Sequence, residues 1–272
     1  MRDPKQYPTA LTIAGSDSGG GAGMQADTKT MQACQTYSTN VIVGLTAQNT
    51  LGVQGAHPVE PDVIDAQFAS IMADFDVRAA KTGALFDAIR VQTVARAVKK
   101  YELSNLIVDP VMVAKGGASL LDDAGVAAMK EDLLPLALLV TPNLPEAELL
   151  AGMAIKTEAD MVTAGNKIQQ LGVPNVIVKG GHGDGPQVKD YVLLADQEFW
   201  LTGERIHTSS KHGTGDTLSA AITAYLAQGE TLEAAIKEGH SYMNTIIAHP
   251  LNIGHGHGPL NQGNWEVQRN EI

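Results

Sequence analysis

The chain has 272 residues, 44% of them hydrophobic and 18% charged, with a formal net charge of −11. These values suit a soluble globular protein, expected to form one domain over residues 1–272, and they argue against a nucleic-acid partner, because phosphate backbones favour basic surfaces. The one cysteine, Cys34, excludes an internal disulfide and suits a cytoplasmic protein; with no leader pattern and no apolar run long enough for a membrane span, no membrane partner is expected.

In chain order, short Val- and Ile-rich runs alternate with longer amphipathic ones. The strands expected are Ala10–Ala14, Asn40–Leu45, Arg78–Thr82, Asn105–Asp109, Leu138–Thr141 and Asn175–Lys179. Helices are expected at Ala22–Ala33, Pro61–Asp74, Ala88–Tyr101, Glu146–Leu150 and Glu158–Leu171. Such alternation predicts an α/β fold, with a mostly parallel sheet covered by helices on both faces. At Lys189–Leu201 the pattern changes to two strands around a turn, read as an antiparallel edge hairpin. Helices Thr214–Gln228 and Leu232–Ala248 follow, then a Gly- and His-rich loop, Gly254–Gly258.

Polar or glycine-rich clusters follow six of these strands: GSDSGGGAG, TAQNT, TGALFD, DPVM, TPNLPE and KGGHGDG. Ligands of open parallel sheets bind at the carboxyl ends of the strands, so these clusters mark one edge as the expected site. Gly213-Thr214-Gly215-Asp216 opens a helix. Glycines let successive N–H groups face one point, and the helix N-terminus adds positive potential, which together suit an anion such as a transferring phosphoryl group. Asp216 in that first turn fits two roles, a helix cap or a base taking the proton of an attacking hydroxyl. The first glycine cluster, from Gly15 to Gly23, has no Walker-type GKS or GKT and fits a loop that brings substrate close to the backbone. Asp27, on the next helix, fits a substrate hydrogen bond or a solvated cap. Lys179, at a strand end, fits a phosphate contact or a solvated lysine. Asn143 and Glu146 form an N-x-x-E that fits Mg²⁺ held through water, or a capping box. Cys34 is expected to be a buried structural thiol, and His255 with His257 lack a third ligand. The glycine-containing loop Ala114–Ser119 is the candidate lid.

Taken in order, ALTIAGSDSGGGAGMQAD, AQNTLGVQ, IVDPVM, TPNLPEAELL, KGGH, HGTGDTLSAA and GHGPLN resemble the ribokinase-like superfamily, and more narrowly its hydroxymethylpyrimidine/phosphomethylpyrimidine kinases. The resemblance spans nearly the whole chain. It implies two successive ATP-dependent phosphorylations of 4-amino-5-hydroxymethyl-2-methylpyrimidine in thiamine biosynthesis. It also implies that Asp216 is the base, that the amides of Gly213, Thr214 and Gly215 form the anion hole, and that Lys179 contacts ATP. Gln48 would read the pyrimidine edge, with Gly15, Asp27 and Ala84 in the substrate pocket, Asn143 and Glu146 supporting Mg²⁺ through water, and a homodimer as the assembly. Two positions depart from the narrow family: Asp216 stands where many members carry Cys, and Ala84 where many carry a Met that packs on the pyrimidine ring. Related kinases of the subfamily act on pyridoxal or pyridoxine, the rival reading for substrate; a non-catalytic nucleotide or vitamin sensor is the rival from another class.

Overall fold

The structure is a computed structural model and describes residues 7–112, 120–181, 185–208 and 210–264. The lid candidate Ala114–Ser119 and His182 of the KGGH motif lie outside the described residues.

A nine-stranded sheet runs in the order β3-β2-β1-β4-β5-β6-β7-β8-β9. The strands are β1 (Thr9–Gly15), β2 (Tyr37–Asn49), β3 (Gly52–Pro58), β4 (Val77–Thr82), β5 (Leu106–Val108), β6 (Leu139–Val140), β7 (Asn175–Val178), β8 (Gln187–Leu193) and β9 (Glu198–Glu204). The six strands from β2 to β7 across the sheet are parallel, and β8–β9 is the expected antiparallel hairpin. The fold class read from the sequence is the one found.

The helices are α1 (Gly23–Ala33), α2 (Pro61–Met72), α3 (Ala88–Lys100), α4 (Asp123–Ala128), α5 (Leu144–Ala151), α6 (Glu158–Gln169), α7 (Thr214–Ala227) and α8 (Leu232–Ile247). Side chains alternate across the sheet and build two cores. Leu11, Ile13, Ala80, Leu106, Val108 and Val140 face the layer of α2 to α6. Ala10, Ala79, Ile107, Leu139 and Ile177 face the layer of α1, α7 and α8. Strands buried on both faces read as continuous apolar runs, which is why NLIVD and NVIVK were legible as strands.

Two elements go beyond the sequence reading. β2 continues past Leu45 and turns back as β3, an antiparallel hairpin at the edge opposite β8–β9. No residue of β3 is buried, so it carries no alternation to read. The short α4 was also missed; Asp122 caps it by accepting from Gly125 N–H, and a π-type turn, Met129–Leu133, follows directly.

The chain passes from β1 outward to β2, then returns through α2 to β4 on the other side of β1. That reversal is the topological switch point where open α/β sheets bind ligands. Gly15, at the end of β1, and Lys81 to Ala84, at the end of β4, lie there.

Candidate active site

Gly213 caps α7 with φ +83, a left-handed conformation that glycine adopts readily. A methyl group on Gly213 would overlap the carbonyl oxygen of Gly21 in the first glycine loop. At Gly213 the two loops therefore approach backbone to backbone. The first N–H groups of α7 have no intrahelical partner and face the site, the arrangement that binds anions. Replacing Gly213 by Ala combines a strained φ with that overlap; the expected result is a loss of about 2–4 kcal/mol in urea unfolding together with weakened ATP binding. Unchanged stability would show that the turn adapts without cost.

Lys179 lies beside this turn. Its Nζ donates to Asp109 Oδ1 at 3.0 Å, and both groups sit against Gly215. Asp109, which the sequence reading left inside the DPVM cluster, is 1% exposed and also accepts from Thr141 Oγ1. Burial works against the charge on Lys179, but Asp109 and Glu146 outweigh it and hold the amine above its usual range. The backbone N–H of Gly180 donates to Asp190 Oδ1 at 2.8 Å, which holds the turn after Lys179.

Asn143 and Glu146 form a complete capping box on α5. Asn143 Oδ1 accepts from Glu146 N–H at 3.0 Å, and Glu146 Oε2 accepts from Asn143 N–H at 2.8 Å. The cap alternative is thus realised, and α5 begins at Leu144 rather than Glu146. Burial pushes Glu146 up to about 7, against the pull of Lys179 and helped by the charge of Asp109. One lysine thus faces two carboxylates, a donor set that accommodates a further hydrated cation. Among the described residues no cluster of three His, Cys, Asp or Glu is arranged to ligate a metal directly.

Asp216 projects from the first turn of α7, its side chain 15% exposed. Beneath it lies Lys81, fully buried, with Nζ 3.6 Å from Asp216 Oδ1 and 2.8 Å from Asp27 Oδ1. Asp27 departs from its expected place. It has no exposed surface, and its second oxygen accepts from Thr12 Oγ1 at 2.5 Å. It lies on α1, which packs on β1 and α7, with its carboxylate against Thr12 and Lys81 beneath Asp216. Lys81 was missed because a lysine near a strand end reads as solvated.

The first glycine loop is organised by Asp17, which accepts from the N–H groups of Gly19, Gly21 and Ala22 at 2.8 to 3.0 Å. Its fourth partner is His212 Nε2 at 3.0 Å. Burial raises the Asp17 carboxyl, but His212 and the loop amides outweigh it and hold it below the ordinary carboxylate range. Ser18 Oγ donates to Gln48 C=O and accepts from Gln48 N–H, which ties the loop to the end of β2. The Gln48 amide meets the same His212 Nε2 at 3.0 Å. Ionised Asp17 only accepts, so Nε2 carries the hydrogen. The Gln48 amide is thus held between His212 Nε2 and Thr46 Oγ1, the latter donating to Ser16 C=O at 2.8 Å and lying 3.3 Å from Gln48 Oε1. Gly15 donates its N–H to the Ala84 carbonyl at 3.2 Å. Phe86, at φ +72, lays its ring over Gly15 and Gly44. Cys34 is buried, as expected.

The sheet order, the helix-opening anion turn and the carboxylate and lysine flanking it define an ATP-dependent kinase of the ribokinase-like class. The family model described as phosphomethylpyrimidine kinase matches residues 17–261, and the chain belongs to that family. It is 47% identical over 263 residues to the hydroxymethylpyrimidine/phosphomethylpyrimidine kinase of Haemophilus influenzae, covering 95% of this chain and 97% of the relative. The fold matches an ADP complex of Bacillus subtilis pyridoxal kinase with a TM-score of 0.90 at 36% identity, over 96% of this chain and all of the other. It also matches Staphylococcus aureus pyridoxal kinase in complex with AMP-PCP and pyridoxal with a TM-score of 0.87 at 31% identity, covering 95% and 94% of the two chains.

Proposed function

We propose that this protein transfers the γ-phosphoryl group of ATP to the hydroxymethyl group of 4-amino-5-hydroxymethyl-2-methylpyrimidine, then a second such group to the monophosphate, for thiamine biosynthesis. The observation that carries this reading is the convergence of Asp216, the α7 N-terminus and the Lys179–Asp109 pair around Gly215. In the first transfer Asp216 takes the proton of the substrate hydroxyl as its oxygen bonds to the γ-phosphorus. The bond from that phosphorus to the β,γ-bridging oxygen breaks, and ADP leaves. The amides of Gly213, Thr214, Gly215 and Asp216 receive the charge of the moving phosphoryl group, and Lys179 neutralises the phosphates. In the second transfer the acceptor is already an ionised phosphate oxygen, so positioning carries more of the rate.

Asn143 and Glu146 are committed to the capping box through Asn143 Oδ1 and Glu146 Oε2, which fits Mg²⁺ held through its own waters. When bound, Mg²⁺ supplies further neutralisation of the ATP phosphates. A homodimer is the assembly this family membership supports, and exposed Leu45, Leu51 and Val53 on the β2–β3 hairpin are consistent with it. A cytoplasmic location fits the lone buried Cys34 and the absence, among the described residues, of any helix long and apolar enough to cross a membrane.

The second reading, a pyridoxal or pyridoxine kinase, is favoured by Ala84 and by the pyridoxal kinases among the structural neighbours. Gln48 separates the two, because its paired donor and acceptor suit an aminopyrimidine edge. For Gln48→Ala the expected result is a pyrimidine KM raised about ten- to a hundredfold, with the KM for ATP unchanged and pyridoxal turnover little affected. Equal losses for the pyrimidine and pyridoxal would remove Gln48 as the reader of the ring.

A further inference from the structure

Alternation along β4 turns Lys81 to the side of Ala79, under α1 and α7, and away from Ala80. Its side chain has no exposed surface, so neither ATP nor acceptor reaches it directly in this structure. Burying an ammonium is costly unless carboxylates hold it, and isolated buried pairs add little to stability. The groups around Lys81 are Thr12 on β1, Asp27 on α1 and Asp216 on α7, with the charge of Asp109 after β5 acting from farther off. Gly83 lies against this cluster: an ideal Cβ there would meet Ala14 Cβ at 3.1 Å and stand 3.6 Å, ordinary contact, from both Asp216 Oδ1 and Lys81 Nζ.

We propose that Lys81, clamped by Asp27, is a positioning residue that acts through Asp216, holding that carboxylate aimed at the acceptor hydroxyl. This rests on the reading of Asp216 as the base. Two carboxylates share one ammonium. With both ionised the cluster carries one excess negative charge, and burial, opposed by Lys81 and aided by Asp216, pushes Asp27 up to about 7. Proton uptake by Asp216 from the substrate hydroxyl leaves Lys81 balanced by Asp27 alone. The cluster thus favours the proton transfer that the reaction needs.

The test is the pH profile of kcat, with the KM for ATP measured alongside, for Lys81→Met, Asp27→Asn and the double variant. Removing the cation disfavours the ionised base, so Lys81→Met moves the acid limb up by about one pH unit or more. Asp27→Asn removes the competing carboxylate and leaves the cation to Asp216, so the acid limb moves down. The double variant lies between them, and the KM for ATP holds throughout. Should Lys81→Met fail to fold, with Asp27 left buried and unpaired, Asp27→Asn and the double variant carry the test, both free of an unpaired buried carboxylate. Opposite shifts support the proposal, since a merely structural role does not change sign. Acid limbs at the wild-type position, with Asp216→Asn inactive, overturn this proposal alone. Near-wild-type kcat in Asp216→Asn overturns the base reading beneath it.

Discussion

Asp216→Asn is expected to lower kcat for hydroxymethylpyrimidine about a hundred- to ten-thousandfold, the range usual for loss of a general base. ATP affinity by calorimetry should stay within about twofold, because the anion turn is built from backbone amides that the substitution leaves in place. Asparagine has nearly the size of aspartate and is an equally good residue near a helix start, so α7 keeps its N-terminus. The substitution therefore separates the two roles open to this residue. Since Gly213 caps α7 and no side-chain cap hydrogen bond forms, a first-turn acid that only favours the helix dipole predicts wild-type turnover; a base predicts the large loss. Near-wild-type kcat in the folded variant would end the base assignment. The second phosphorylation should lose less than the first, since its acceptor oxygen has no proton to give up.

Lys179→Met should lower kcat/KM for ATP about a hundred- to a thousandfold, because it removes the cation beside the turn proposed to bind phosphate. It also leaves Asp109, 1% exposed, without its charge partner, and breaking such a pair typically costs about 3–5 kcal/mol. Pairing it with Asp109→Asn distinguishes the two losses. The double variant is expected to recover most of the thermal stability and none of the activity. Activity returning with stability would mean that Lys179 serves only to balance Asp109. Lys179→Arg should recover charge but only part of the rate, as a planar fork does not replace a compact ammonium.

Much of this was legible because local and global signals agree. The runs around Ile13, Ile107 and Ile177 are short, apolar and followed by glycine or polar clusters, and each became a central strand. The turn at Gly213 announces itself by composition, and its left-handed φ is the reason glycine stands there. The rest depends on partners distant in sequence. His212 and Asp17 are hydrogen bonded across 195 positions, and Lys179 and Asp109 across 70. Lys81 sits among strand residues with nothing local to mark it as buried. The packing of α7 over β4, with Asp27 reaching it from α1, encloses it. Asp27 was read as a substrate hydrogen bond or a solvated cap, with the pocket implied by the resemblance of GMQAD; it has no exposed surface, and its partner Lys81 is 54 positions away. β3 was illegible for the opposite reason, since a ribbon exposed on both faces has no apolar period.

The most direct test of the central claim is to follow the products by ³¹P NMR. The purified protein would be given Mg-ATP and 4-amino-5-hydroxymethyl-2-methylpyrimidine, with parallel samples containing pyridoxal or no acceptor. The account predicts the pyrimidine monophosphate first and the diphosphate after it, each matched by one ADP, at a kcat/KM above that for pyridoxal. Pyridoxal phosphate as the favoured product, or no acceptor-dependent ADP at all, would contradict it.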